Sequence, residues 1–253
     1  MKVLVAVPSK GRANELQKDT LSWLKKTSQD YKVFVEPQDY GAYREGMEGS
    51  DLIQLNDNNK GLGYAKKAIY EYAKANGYEA VFKVDDDVIG WYGRDRKSAR
   101  ENSYKVFEEA INAGTQTFEK YADVVAISYP YSFQMFEAKK WTGVNQRTQT
   151  CYLVRTDFIY PDPRISTLED FATFIYIRVN NKITLRYGFA GIECRDIGSN
   201  SGGHQSFNRD TQVRQEIEYL RDLYPALKIK KVEGKAWQYE PDLNDKFFGG
   251  RGL

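Results

Sequence analysis

Three consecutive carboxylates, Asp85-Asp86-Asp87, stand at the end of the apolar-rich run 80–84 and are the residues of this 253-residue chain best placed to do chemistry. Adjacent carboxylates repel one another, and a hard divalent cation such as Mn²⁺ or Mg²⁺ is the usual means of holding such charges together. Either ion takes few protein carboxylates and leaves positions for diphosphate oxygens and water. The competing reading, a solvated acidic turn, is weakened because the triplet follows its strand so directly. Ligands of open α/β sheets bind at the carboxyl ends of strands. Two further stretches suit an anion. In Pro8-Ser9-Lys10-Gly11-Arg12 the glycine lets the backbone approach a ligand, and Lys10 and Arg12 carry the charge to meet phosphate or base oxygens. In Gly61-Leu62-Gly63-Tyr64-Ala65-Lys66-Lys67 a Gly-rich turn opens a helix whose N-terminus attracts anions, with Lys66 or Lys67 one turn in. Each stretch also reads as an ordinary solvated turn or helix start. A second acidic pair, Glu169-Asp170, opens another helical stretch, where both acids also favour the helix dipole. His204, the single histidine, follows a glycine loop.

The elements that must position these residues follow from local pattern. Residues 3–7 are a continuous apolar run of β-formers, as expected of a central parallel strand buried on both faces. A helix is expected over 14–27, strands over Tyr31–Val35 and 52–55, a helix over 64–76 stopped by Gly77, and a strand over 80–84. That alternation implies right-handed crossovers and a doubly wound sheet. Beyond it, helices are expected over 98–120, 168–180 and 211–224, and strands over Val124–Ser128, 150–154 and Ile183–Tyr187. The charged tail 228–253 gives no clear signal.

Composition bounds the rest. Hydrophobic residues at 41% and charged residues at 28% suit one sizeable α/β domain spanning 1–253. The net charge of +2 does not by itself indicate nucleic-acid binding. Two cysteines without metal-ligand spacing imply a reducing, cytoplasmic setting and no disulfide framework. No segment is long and apolar enough to span a bilayer, so no membrane association is expected. The oligomeric state is left open.

The strand that ends on Asp85-Asp86-Asp87, with the turns before it, resembles the GT-A fold of nucleotide-sugar glycosyltransferases, a Rossmann-type α/β domain with a mostly parallel sheet. The resemblance implies that Asp87 ligates the metal, that Asp85 meets the donor ribose or the metal's water shell, and that Asp86 borders the donor in an ambiguous role. Pro8, Ser9, Lys10 and Arg12 would receive the nucleotide, with Gly61 and Lys66 facing it. Asp170 would be the catalytic base, with Glu169 the alternative, and His204 a second metal ligand. The donor half would cover about 1–90, the acceptor half and tail about 91–253. A closer resemblance rests on Val7-Pro8-Ser9-Lys10-Gly11-Arg12-Ala13, Val35-Glu36-Pro37, the triplet and Gly202-Gly203-His204. These look like the TET-associated glycosyltransferases of phages, which implies a UDP-linked sugar donor and 5-hydroxymethylcytosine in DNA as acceptor. The segment 91–100, with Trp91, Tyr92 and four cations, and a second cluster of Lys228, Lys230, Lys231 and Lys235 beside Trp237 and Tyr239, would serve a DNA partner. A polysaccharide, protein or lipid acceptor, a nucleotidyltransferase, and a non-catalytic sugar-nucleotide-binding domain are the alternatives.

Overall fold

The structure is a computed structural model and describes residues 1–93, 102–130, 141–144, 151–159, 162–195, 209–225, 229–231 and 239–241. Strand β1 (Val3–Ser9) leads into two short helices, α1 (Ala13–Lys18) and α2 (Thr20–Leu24). Then come β2 (Tyr31–Val35), α3 (Tyr40–Arg44), β3 (Leu52–Gln54), α4 (Leu62–Ala75), β4 (Ala80–Lys83), β5 (Val88–Tyr92) and α5 (Ser103–Lys120). The second half supplies β6 (Val124–Ser128), β7 (Trp141–Val144), β8 (Tyr152–Arg155), α6 (Glu169–Val179), β9 (Ile183–Tyr187), β10 (Gly191–Cys194), α7 (Arg209–Leu223), β11 (Ile229–Lys231) and β12 (Tyr239–Pro241).

The central sheet has eight strands in the order β3-β2-β1-β4-β8-β6-β9-β7. Six share one direction, and β8 and β7 run against them. The expected α/β architecture with a mostly parallel sheet is therefore observed. The apolar run of β1 explains its central place. Val3, Val5 and Val7 enter the core on one face, with Phe82, Trp91 and Phe107. Leu4 and Ala6 enter the core on the other, with Phe34, Ile69 and Ala73 of α4. Alternate residues of a strand point to opposite faces, so only a strand apolar at every position can be covered on both sides. A third cluster joins α6 to α7 through Phe171, Ile175, Val213, Ile217 and Leu220.

Two expectations are corrected. The helix over 14–27 is two helices, because the chain breaks at Asp19 (φ −99°, ψ −92°). The Asp19 carboxylate is claimed by the Arg195 guanidinium at 2.5 and 2.8 Å, a tertiary contact that no helix propensity encodes. Trp91, expected at a DNA surface, is fully buried in β5 against Trp23, Phe82, Phe107 and Tyr129. β5 pairs antiparallel with β10 in a separate two-stranded sheet. Residues 94–100, Lys228, Lys235 and Trp237 lie outside the described residues.

Candidate active site

The carboxyl ends of β1 and β4 are neighbours because the two strands pair in parallel, with Ala6 opposite Lys83. A cavity of about 260 Å³ opens there. Its walls are Pro8, Ser9, Lys10 and Arg12 on one side, Asp85, Asp86 and Asp87 on another, Phe34, Glu36 and Leu55 below, and Gly61, Leu62 and Ala65 at the start of α4. The expected nucleotide loop, the acidic triplet and Gly61 are thus brought together.

Gly11 adopts a positive φ of 65°, which side chains with a Cβ rarely tolerate, and the turn it makes brings Arg12 over the triplet. Arg12 Nη1 lies 2.9 Å from Asp86 Oδ1 and 3.4 Å from Asp87 Oδ2. The Arg12 amide donates to the Tyr43 hydroxyl at 2.9 Å. Ser9 Oγ donates to Asp86 Oδ2 at 2.6 Å, so Tyr43 donates in turn to Ser9, also at 2.6 Å. Asp86 is therefore satisfied on both oxygens by protein. The backbone of the turn is fastened from behind: Thr20 Oγ1 donates to the Asp85 carbonyl at 2.8 Å and accepts from the Val88 amide at 3.1 Å. The Arg195 amide donates to the Asp87 carbonyl at 3.3 Å.

Asp85 is held by the ammonium of Lys83, which also lies 3.8 Å from Glu169 Oε1. Burial alone would depress Lys83, but the Asp85 and Glu169 carboxylates outweigh it and push its pKa well above the ordinary value. Glu169 is buried, and burial together with Asp170 raises its carboxyl. The acid pair at the start of α6 is thus joined to the triplet through one buried cation.

Asp87 and Asp85 keep side-chain exposures of 24% and 31%, whereas Asp86 is buried. At Asp87, burial followed by repulsion from Asp85 and Asp86 pushes the pKa up to about 6, with Arg12 only partly compensating. A carboxylate held that far above its normal range is short of positive charge, and a divalent cation would supply it. No group of three or more acids, histidines or cysteines able to hold a metal ion occurs among the described residues. His204 lies outside the described residues.

Lys66 is placed differently from the expectation. It shares the buried stripe of α4 with Ile69 and Ala73, is only 6% exposed, and donates to the Glu169 carbonyl at 2.8 Å and Thr173 Oγ1 at 2.6 Å. It does not line the cavity. The N-terminus of α4 is likewise occupied by protein, since the Leu62 amide donates to Ser166 Oγ at 3.1 Å. A Cβ at Gly63 would lie 2.0 Å from the Ile165 carbonyl oxygen, so the glycine serves a backbone contact there.

Burial, offset in part by Glu169, lowers the Lys66 pKa from 10.5 to about 8. Below pH 8 the ammonium is charged in both folded and unfolded chains, and the cost of burying it is fully present. Between the folded value and 10.5 the unfolded chain binds more protons, so this group's contribution to stability rises with pH. Relative to Lys66→Met, the parent should therefore gain up to about 3 kcal/mol of stability across that window. Urea melts of both proteins at pH 7.5, 9 and 10 measure the difference. A gap that does not change with pH would show that Lys66 is not the buried charge described.

Sequence reasoning did not single out Lys83, Thr20, Tyr43 or Arg195. A lysine closing an otherwise apolar strand was a readable signal for Lys83. The other three act through contacts distant in sequence.

A doubly wound, mostly parallel sheet with an acidic turn at the end of a central strand defines a GT-A-like enzyme of the nucleotide-sugar glycosyltransferase class. The profile of the TET-associated glycosyltransferases matches residues 3–197, and the chain belongs to that family. No curated protein sequence matches it. Among solved structures it is similar to S. aureus TarS (TM-score 0.54, 15% identity, 88% of this chain and 40% of that one). It is also similar to the 1–349 portion of TarS (TM-score 0.52, 16% identity, 77% and 60%). The chain thus spans less than two thirds of either, and the likeness is one of fold. No helix among the described residues is long and apolar enough to cross a membrane.

Proposed function

We propose that this enzyme transfers a sugar from a UDP-linked donor to the hydroxymethyl group of 5-hydroxymethylcytosine in DNA, with a divalent metal and with the whole chain acting as one catalytic domain. The observation that carries the donor half is the cavity itself. Its apolar lining of Phe34, Leu55 and Ala65 suits the face of a nucleobase, while Glu36 and Lys10, 3.1 Å apart, offer an acceptor and a donor to the base edge. Arg12 and the triplet lie where the ribose and diphosphate would extend. Asp87, with His204, would hold Mn²⁺ or Mg²⁺, which when bound would neutralise charge on the departing diphosphate.

Asp170 is the better base of its pair. Glu169 is buried against Lys83, whereas Asp170 keeps partial exposure beside it. Burial raises the Asp85 carboxyl, Lys83 draws it back, and Asp86 and Asp170 add to the rise, which places Asp170 within reach of the triplet's field. In this reading the acceptor oxygen forms its bond to the anomeric carbon as the sugar–diphosphate bond breaks. The hydroxyl proton passes to Asp170, the electron pair leaves on UDP, and the anomeric centre inverts. The transferase reading gives Asp170 a task as base, which a nucleotidyltransferase or a binding domain would not.

The family's TET association supports a hydroxymethylated base as acceptor. A base inside a duplex would have to be extruded to reach the cavity. The test is incubation of the protein with labelled UDP-sugars and Mn²⁺, offering hydroxymethylated DNA, plain DNA and polysaccharide. Label is expected only in hydroxymethylated DNA. Label appearing in another acceptor and never in that DNA would overturn the acceptor assignment while leaving the donor chemistry intact.

A further inference from the structure

The loop that delivers the acid pair is held by a helix outside the stretch that matches the family. Glu216, on α7, is 3% exposed and accepts hydrogen bonds from three consecutive backbone amides. Its Oε1 takes Ser166 and Thr167, each at 2.9 Å, and its Oε2 takes Thr167 at 3.0 Å and Leu168 at 2.8 Å. Gln212, one turn earlier, steadies Oε1 at 3.0 Å. One turn later Tyr219 donates to Asp162 Oδ2 at 2.5 Å, so the same face of α7 grips the loop at both ends. The loop in turn touches both halves of the site. Ser166 Oγ accepts from Leu62 at the cavity wall, and Leu168 is followed directly by Glu169 and Asp170. Buried amides left without an acceptor are costly, so this carboxylate helps to fix where α6 begins.

We propose that Glu216 is a positioning residue for transfer: it sets the register at which Asp170 faces the acceptor, and it acts through Asp170 rather than through the donor cavity. The proposal rests on the reading of Asp170 as base. Glu216→Gln keeps the volume but turns an amide group toward backbone N–H groups that need an acceptor. A shift of the base by a fraction of an ångström should lower kcat by about tenfold or more, with donor KM and UDP affinity within about threefold of the parent.

The test is a double-mutant cycle of Glu216→Gln and Asp170→Asn, with kcat, donor KM and UDP binding measured for all four proteins. The expected result is a loss of kcat from Glu216→Gln in the parent and almost none in the Asp170→Asn background. An equal loss in both backgrounds, or a loss confined to donor KM, would overturn the positioning role. Near-normal kcat in Asp170→Asn alone would instead overturn the base assignment beneath it. If Glu216→Gln does not fold, Tyr219→Phe removes the hydroxyl's bond to Asp162 at the far end of the loop and leaves Glu216 in place. Its kcat should fall by a few-fold in the parent and stay unchanged when Asp170 is already asparagine; any other pattern counts against the proposal.

Discussion

Asp170→Asn is expected to lower kcat by about 10²–10⁴-fold while leaving nucleotide-sugar affinity within about threefold. The size follows from what the base supplies: without a proton acceptor the attacking hydroxyl must carry its proton into the transition state. Asparagine keeps the shape and removes the charge, so the start of α6, held from α7, should not move. The donor cavity does not include Asp170 in its walls, which is why affinity should be spared. Single-turnover transfer and isothermal titration of UDP, measured side by side, separate the two effects. Retention of near-normal transfer would assign the proton to another group. A parallel Glu169→Gln variant is expected to behave differently, because Glu169 balances the buried Lys83 and Lys66 ammoniums and its loss leaves uncompensated charge. That variant should show lowered thermal stability beyond any change in rate.

The second large effect concerns Asp87. Asp87→Asn is expected to reduce transfer at saturating Mn²⁺ by about 10³-fold, the rate equivalent of roughly 4 kcal/mol of lost charge stabilisation at the diphosphate. The Asp87 side chain is part-exposed in the cavity wall with a pKa lifted to about 6, whereas Asp86 is buried and saturated by Ser9 and Arg12, and Asp85 is paired with Lys83. Removing a crowded charge should also relieve repulsion, so the variant should melt no lower than the parent in the absence of metal. Activity titrated against Mn²⁺, with calorimetric melts in chelator, reads both consequences. If the parent works equally well in chelator, or if Asp87→Asn keeps half its rate at saturating Mn²⁺, the metal role of Asp87 is wrong.

Much of this plan was readable in the chain. The continuous apolar run 3–7 reads as a strand covered on both faces, and a strand that runs into three aspartates presents them at its carboxyl end. Both facts are local, set by side-chain period and charge, so the alternation of the first half and the place of the acidic turn are readable in the sequence, whereas β5, β7 and β10 are not. The partners of the charges did not. Lys66 and Lys67 looked equivalent behind a glycine turn. Yet Lys66 shares the stripe of Ile69 and Ala73, and packing sends its ammonium into α6. Asp19 sits in a stretch with good helical periodicity and still breaks the helix, because Arg195 reaches it across the fold. Glu216 reads as an ordinary helix-surface acid until α7 docks on α6 and three amides converge on it. Sequence pattern fixes which face of an element is apolar. Which polar group on that element meets which partner depends on distances between residues far apart in the chain, and only the folded arrangement sets those.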